Sequence, residues 1–264
     1  MNILKNINST AMNKKQIIKD FISQGIAVIP DYVTKDFCQS AIEEMDIIQK
    51  KYSDFVVSKK SENSAGDSRI FKIENKSKSA MLFKKDPFIK DTFNQYCNLK
   101  FESHFVLGGI VKSLKDSPTN SGGGWHRDSD EVQLKAMLYL KDVNSLNGPF
   151  LFIRNSKNHD LIRRNIKTNE SWISKLIRII KSKDVQLDPR YSDDIVESKI
   201  NKEEIFEVKG KAGTLVLFDS SYIHRGKNMQ EGTRYTLTNY FFKRGKLSKF
   251  FRKQQFGKYF LPQQ

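Results

Sequence analysis

The spacing of apolar residues changes near residue 101, and this change limits the possible folds most strongly. Before it, apolar side chains recur at the period of an amphipathic helix, which predicts helices over 13–25, 34–52 and 87–99. After it, short apolar runs separated by turn residues predict strands over 105–114, 132–140, 150–153, 213–219 and 235–242. Shorter strands are expected earlier, at 26–29 and 69–74, with a loop over 58–68. Helices followed by short strands favour a mainly β fold, a β-barrel or jelly roll with the N-terminal helices packed on it.

The chain is expected to form a single domain over residues 1–264, because no Pro-, Gly- or Ser-rich linker divides it. A helix-rich part over 13–100 precedes a β core over 101–242. A basic, partly helical insertion over 160–204 interrupts that core, and a basic tail follows over 243–264. Hydrophobic residues make up 38% of the sequence, which is enough to build a core.

The charge of the chain points to an anionic partner. Lys and Arg number 46 against 30 Asp and Glu, so the formal net charge is +16. Nucleic acid, an anionic membrane surface, and a phosphorylated or carboxylated molecule would all be attracted. In 163–183, apolar residues recur at helical spacing and the basic residues lie mostly on the opposite face. Such a helix could be a lid over an acidic substrate, a membrane contact or a solvated helix face. Nucleic acid is the weaker expectation, because no recognised nucleic-acid-binding motif accompanies the charge.

Cysteine content and hydropathy indicate the compartment. Cys38 and Cys97 are too few for a disulfide framework or a four-thiolate zinc site, so both are expected to be buried thiols. The first residues lack a secretion-signal pattern, and no apolar run approaches the length of a membrane span. A cytoplasmic location is therefore expected, with contact to a membrane surface as a further option.

A metal-binding pattern follows from the histidines. His126 and Asp128 are two residues apart, so both side chains would share one face of an extended segment. His224 ends a distant strand-like run and could supply a third ligand. Two His and one carboxylate form the set used by non-heme Fe(II) oxygenases, whereas a structural zinc site would need a fourth ligand. Arg234 offers a forked guanidinium that suits the carboxylate of a cosubstrate.

Several segments together resemble one known family. They are FISQGIAVIPDYVTKDF, WHRDSD, NGPFLFIRNSKNH and the His224–Arg234 pair, which span about residues 15–245. The chain is similar to the phytanoyl-CoA dioxygenase family of Fe(II)/2-oxoglutarate-dependent oxygenases. The resemblance implies a double-stranded β-helix (jelly-roll or cupin-like) in which His126, Asp128 and His224 hold iron and Arg234 binds the distal carboxylate of 2-oxoglutarate. Because Asp128 is present, the resemblance implies O2-dependent hydroxylation rather than halogenation, with release of succinate and CO2.

Four further residues are predicted to contact the cosubstrate. Lys135 and Tyr139 share one face of the strand over 132–140, and by resemblance that face lines the cosubstrate pocket. Lys72 lies where the family can supply another contact, and Thr236 shares a strand face with Arg234. The alternatives are an ordinary surface lysine, a packed tyrosine and a threonine chosen for β propensity.

The function predicted from the sequence is hydroxylation of an anionic small molecule or glycan. Two alternatives stay open, namely an oxygenase acting on nucleic acid, and a non-catalytic protein whose basic surfaces bind nucleic acid or membrane. His104 and His159 are expected to be structural or surface residues.

Overall fold

A computed structural model describes residues 14–59, 66–96, 100–113, 124–129, 131–158, 190–244, 257 and 260–263. The predicted basic segment 163–183, most of the tail, Cys97 and His159 lie outside these residues. The described helices are α1 (Lys14–Gln24), α2 (Lys35–Lys51), α3 (Lys78–Lys84), α4 (Pro87–Tyr96) and α5 (Asp193–Lys199). None of the described helices is long and apolar enough to cross a membrane.

Two antiparallel sheets form the β part of the described structure. The first has seven strands in the order β1-β10-β6-β12-β4-β3-β2, and the second has five in the order β8-β5-β11-β7-β9. The strands are β1 (Ile26–Ile29), β2 (Val57–Lys59), β3 (Asp67–Phe71), β4 (Phe101–Lys112), β5 (Trp125–His126), β6 (Leu134–Tyr139), β7 (Phe150–Ile153), β8 (Arg190–Tyr191), β9 (Ile205–Val208), β10 (Leu215–Asp219), β11 (His224–Gly226) and β12 (Thr233–Lys243). This arrangement confirms the predicted cupin-like fold with N-terminal helices.

The N-terminal helices cover the outer face of the seven-stranded sheet. Phe21 of α1 and Met45 of α2 join one buried cluster with Leu138 and Leu237 of the sheet. The local sequence sets the helix ends: Gly25 ends α1 in a left-handed conformation, at φ 71°. Helices therefore fill the outer side, and the inner side of the sheet is left to face the five-stranded sheet.

Side chains alternate between the two faces of each long strand, as the strand period requires. Tyr139 of β6 packs with Phe150 and Phe152 of the five-stranded sheet, whereas Leu138 joins the cluster under the helices. Inner-face residues of β6 and β12 are thus directed at β7 and its neighbours, which positions the candidate site between the sheets.

The structure corrects the prediction for 58–74. The predicted loop over 58–68 contains parts of β2 and β3, where Ser58 and Ser68 lie opposite each other with polar side chains that resemble a loop. The predicted strand over 69–74 ends at Phe71, because Lys72 adopts φ 55° and a 3-10 turn follows over Ile73–Asn75. Ile73 is buried in that turn, so the apolar spacing of the sequence continues past the end of the strand and made the predicted strand too long.

Candidate metal centre and cosubstrate pocket

The three predicted metal ligands lie together between the sheets. His126 ends β5 and is paired with His224 of β11, so the two imidazoles are side by side. Asp128 follows β5, and its backbone N–H donates to the carbonyl of Ser220 (3.0 Å). One ligand atom from each residue lies within 4.8 Å of the others, with Nε2 of His224 3.5 Å from Oδ2 of Asp128. The chain therefore brings two imidazoles and one carboxylate to a single point.

Both imidazoles have the tautomer that a metal ligand needs. Nδ1 of His126 lies 2.8 Å from the carbonyl of Gly124, and Nδ1 of His224 lies 2.9 Å from the carbonyl of Tyr222. A carbonyl oxygen only accepts, so each Nδ1 carries a proton, which in the neutral ring leaves the lone pair of Nε2 for a metal. Burial, and then the neighbouring imidazole of His224, lower the pKa of His126 to about 3. His126 is therefore neutral at physiological pH, as metal binding requires.

Lys135 lies next to the triad. Its Nζ is 2.5 Å from Oδ2 of Asp128 and 4.4 Å from the ring centroid of Tyr240. Burial alone would raise the pKa of Asp128, but the ammonium of Lys135 and the imidazole of His224 outweigh it and hold that pKa well below its usual value. Asp128 is thus ionised, as a metal ligand must be. The predicted contact between Lys135 and the cosubstrate stays a prediction.

Arg234 is a buried cation with an unused donor. It lies on the inner face of β12 at 6% exposure, and its Nε makes no hydrogen bond to any described residue. Burial lowers its pKa, although the group stays charged because guanidinium is such a weak acid. A buried guanidinium with a free donor costs stability unless an anion completes it. Arg234 therefore fits the distal carboxylate of 2-oxoglutarate, and the triad fits a divalent metal with open positions.

The other predicted cosubstrate residues have different surroundings. The hydroxyl of Tyr139 donates to the carbonyl of Val208 (3.0 Å) and accepts from the N–H of Phe150 (3.2 Å), so it links the two sheets. Thr236 is opposite Tyr139 and shares the inner face with Arg234. The structure gives Lys72 a contact with the ring of Phe260, whose centroid is 4.6 Å from Nζ. Tyr139 and Thr236 are thus on the Arg234 face, while Lys72 follows the end of β3.

Two charged residues of β3 were missed by the sequence analysis. Nε and Nη2 of Arg69 donate to Oδ2 of Asp67, at 3.1 and 2.8 Å. Asp67 is 2% exposed, and its charge also acts on Arg234. The available signal was an Asp-x-Arg spacing, which puts both side chains on one strand face, but it lay across the predicted loop boundary.

Asp219 was also missed, and it supports the turn that leads to His224. It is fully buried and accepts from the N–H of Ser221 (3.0 Å), the ammonium of Lys157 (3.0 Å) and the hydroxyl of Tyr96 (3.1 Å). These partners come from three separate segments. Asp219 therefore fixes the end of β10 next to the predicted metal ligands.

Comparison with known proteins agrees with this site. The family model described as phytanoyl-CoA dioxygenase (PhyH) matches residues 21–234. The chain belongs to the phytanoyl-CoA dioxygenase family. This membership confirms the predicted family, and with it a 2-oxoglutarate-dependent non-heme iron enzyme. The curated proteins contain no significant match.

Solved structures share the fold of this family member at low sequence identity. The epimerase SnoN in complex with Fe3+, alpha ketoglutarate and nogalamycin RO has a TM-score of 0.66 and 10% identity, over 87% of this chain and 83% of that one. HygX from Streptomyces hygroscopicus with nickel and 2-oxoglutarate bound has a TM-score of 0.58 and 15% identity, over 88% and 87%. The carbocyclase SnoK from nogalamycin biosynthesis has a TM-score of 0.62 and 12% identity, over 88% and 84%.

Proposed function

We propose that this protein is an Fe(II)- and 2-oxoglutarate-dependent dioxygenase that hydroxylates an anionic small molecule or glycan and releases succinate and CO2. One observation carries the proposal: three ligand atoms lie within 4.8 Å of one another, and Arg234, whose Nε makes no hydrogen bond to any described residue, lies on the inner sheet face. A metal chelated by a dicarboxylate would use both features at once.

In this proposal His126, Asp128 and His224 hold the metal through two Nε2 atoms and a carboxylate. When bound, Fe(II) with 2-oxoglutarate and O2 supplies the oxidation of an unactivated C–H bond. The protein orients the ligands through the Nδ1 hydrogen bonds. It also keeps water away from His224, whose ring centroid is 5.5 Å from that of Phe150 and 5.6 Å from that of Phe218.

Arg234 would bind the far carboxylate of the cosubstrate. Its burial strengthens a charge-assisted pair, and its fork matches a carboxylate with two hydrogen bonds. Thr236 and Lys135 lie on the same sheet face as Arg234 and are proposed as weaker contacts with 2-oxoglutarate. A direct contact between Lys72 and 2-oxoglutarate stays a prediction. A contact from the Tyr139 hydroxyl also stays a prediction, and this hydroxyl already makes hydrogen bonds to Val208 and Phe150.

The anionic class of the substrate rests on the net charge of +16 and on the basic segment 163–183. Crystals of SnoN with nogalamycin RO and of HygX with hygromycin B support a small molecule rather than a polymer. Location at a membrane surface and action on nucleic acid are the less favoured extensions. Salt-dependent binding to anionic vesicles or oligonucleotides would reveal either one.

Anaerobic titration with Fe(II) and 2-oxoglutarate tests the proposal. The wild-type protein should develop a weak visible charge-transfer band and, in air, form succinate. Asp128→Ala should do neither, whereas Asp142→Ala, which removes a carboxylate with a 57% exposed side chain, should behave as wild type. Absence of the band in the wild-type protein would favour a non-catalytic binding protein instead.

A further inference from the structure

Strand register places an arginine on the inner face, in one row with two of the predicted cosubstrate residues. Tyr139 of β6, Thr236 of β12, Gly109 of β4 and Arg69 of β3 are successive partners across four strands. Gly109 has no side chain, and a Cβ there would lie 2.7 Å from Oγ1 of Thr236. The hydroxyl of Thr236 therefore lies over Gly109, between β12 and the strand next to Arg69, and a side chain at position 109 would collide with it.

Arg69 is held on one side by Asp67, and no described residue binds its other side. Its Nε and Nη2 both donate to Asp67, while its Nη1 has no hydrogen bond to any described residue. The side chain is 21% exposed, against 2% for Asp67, and its charge interacts with Tyr240 and Asp128. Asp67 thus fixes the guanidinium plane and leaves one edge for another acceptor near the triad.

The charges of this face do not cancel when the cosubstrate is bound. These charges lie on the inner face of the seven-stranded sheet, from Arg234 at one end to Lys135 at the other. The described side chains there supply three cations (Arg69, Lys135 and Arg234). Two carboxylates oppose them, from Asp67 and from Asp128 of the triad. A divalent metal and a dicarboxylate would neutralise each other, so one positive charge remains. Buried charge without a partner is costly, which favours a ligand that carries one further negative group.

We propose that Arg69 is a specificity-determining residue that binds a carboxylate or phosphate group of the primary substrate, with Asp67 as its positioning residue. This inference rests on the proposed function, because it assumes that Arg234 is taken by 2-oxoglutarate. It assigns recognition of the anionic group to the sheet itself, independently of the basic segment 163–183.

Binding of methylphosphonate to the Fe(II)- and 2-oxoglutarate-loaded protein, without O2, tests the proposal. Bound Fe(II) should broaden the 31P signal of methylphosphonate but not that of its neutral dimethyl ester. Arg69→Gln should raise the dissociation constant of methylphosphonate by at least about tenfold, because a charge-assisted hydrogen bond is lost. The visible band should show that 2-oxoglutarate affinity stays within about twofold. Arg244→Gln, which removes a guanidinium whose side chain is 66% exposed, should change neither.

Three results would overturn the inference. They are no methylphosphonate binding by a wild-type protein that shows the visible band, equal binding by Arg69→Gln, and loss of 2-oxoglutarate affinity in Arg69→Gln, which would make Arg69 a cosubstrate residue. Absence of the band in the wild-type protein would instead refute the proposed function. If Arg69→Gln does not fold with Asp67 unpaired, the neutral pair Asp67→Asn/Arg69→Gln removes both charges and should give the same tenfold loss.

Discussion

Replacing Tyr139 with Phe separates a structural role of its hydroxyl from a role in cosubstrate binding. Tyr139 is fully buried, and its hydroxyl joins the carbonyl of Val208 to the N–H of Phe150 across the two sheets. The substitution keeps the ring and its packing. It removes one donor and one acceptor from a place that water does not reach.

The expected cost follows from those two bonds. A typical intramolecular hydrogen bond contributes about 1 kcal/mol net, and a buried backbone N–H left without a partner costs about 1–3 kcal/mol. The free energy of unfolding should therefore fall by about 3 kcal/mol. At about 2–4 °C per kcal/mol for a domain of this size class, the melting temperature should drop by roughly 6–12 °C.

The measurement is thermal unfolding together with the 2-oxoglutarate dependence of the visible band. Affinity for 2-oxoglutarate should change less than about threefold, because the hydroxyl is already used within the protein. Tyr235→Phe is the matched control: its hydroxyl donates to Asp46 (2.8 Å) on the outer face, and its loss should cost about 1 kcal/mol or less. Unchanged stability of Tyr139→Phe with a tenfold loss of 2-oxoglutarate affinity would refute this reasoning and make the hydroxyl a cosubstrate contact.

Four other changes test the site and its support. Asp128→Ala should abolish succinate formation and metal retention in a protein that still folds, with a lower melting temperature because buried Lys135 loses its partner; hydroxylation by this variant would refute the triad. Arg234→Lys should raise the KM for 2-oxoglutarate about tenfold or more in a succinate assay, since the fork is lost; an unchanged KM would move the contact elsewhere. Asp219→Asn should lower the free energy of unfolding in urea by about 2–4 kcal/mol, unlike Asp142→Asn. Equal unfolding curves for the two variants would show that the hydrogen bonds to Asp219 are dispensable. Burial raises the pKa of Cys38 to about 11, so at pH 8 about one thiol in a thousand is the reactive thiolate. Peptide mapping should show its alkylation rising with pH, and a rate like that of a free cysteine at pH 8 would contradict burial.

Local sequence signals were strong where an element is long or a residue type is rare. The apolar run over 235–242 predicted β12, and the helical spacing over 34–52 predicted α2. His-x-Asp spacing predicted two ligands because neighbouring positions on an extended segment share a face. β5, with two residues, and β11, with three, are too short to show a period, so their pairing was not predictable.

The sequence by itself determined the layer arrangement, the family and the residue types that are predicted to bind metal and carboxylate. Only the tertiary structure decided which side chains face one another. Arg69 and Asp67 border the site because β3 pairs with β4 in one particular register, and Tyr139 is engaged because β6 lies opposite β7 and β9. The side-chain period of a strand selects a face, but neighbours across a sheet come from pairing between distant segments, which no local pattern encodes.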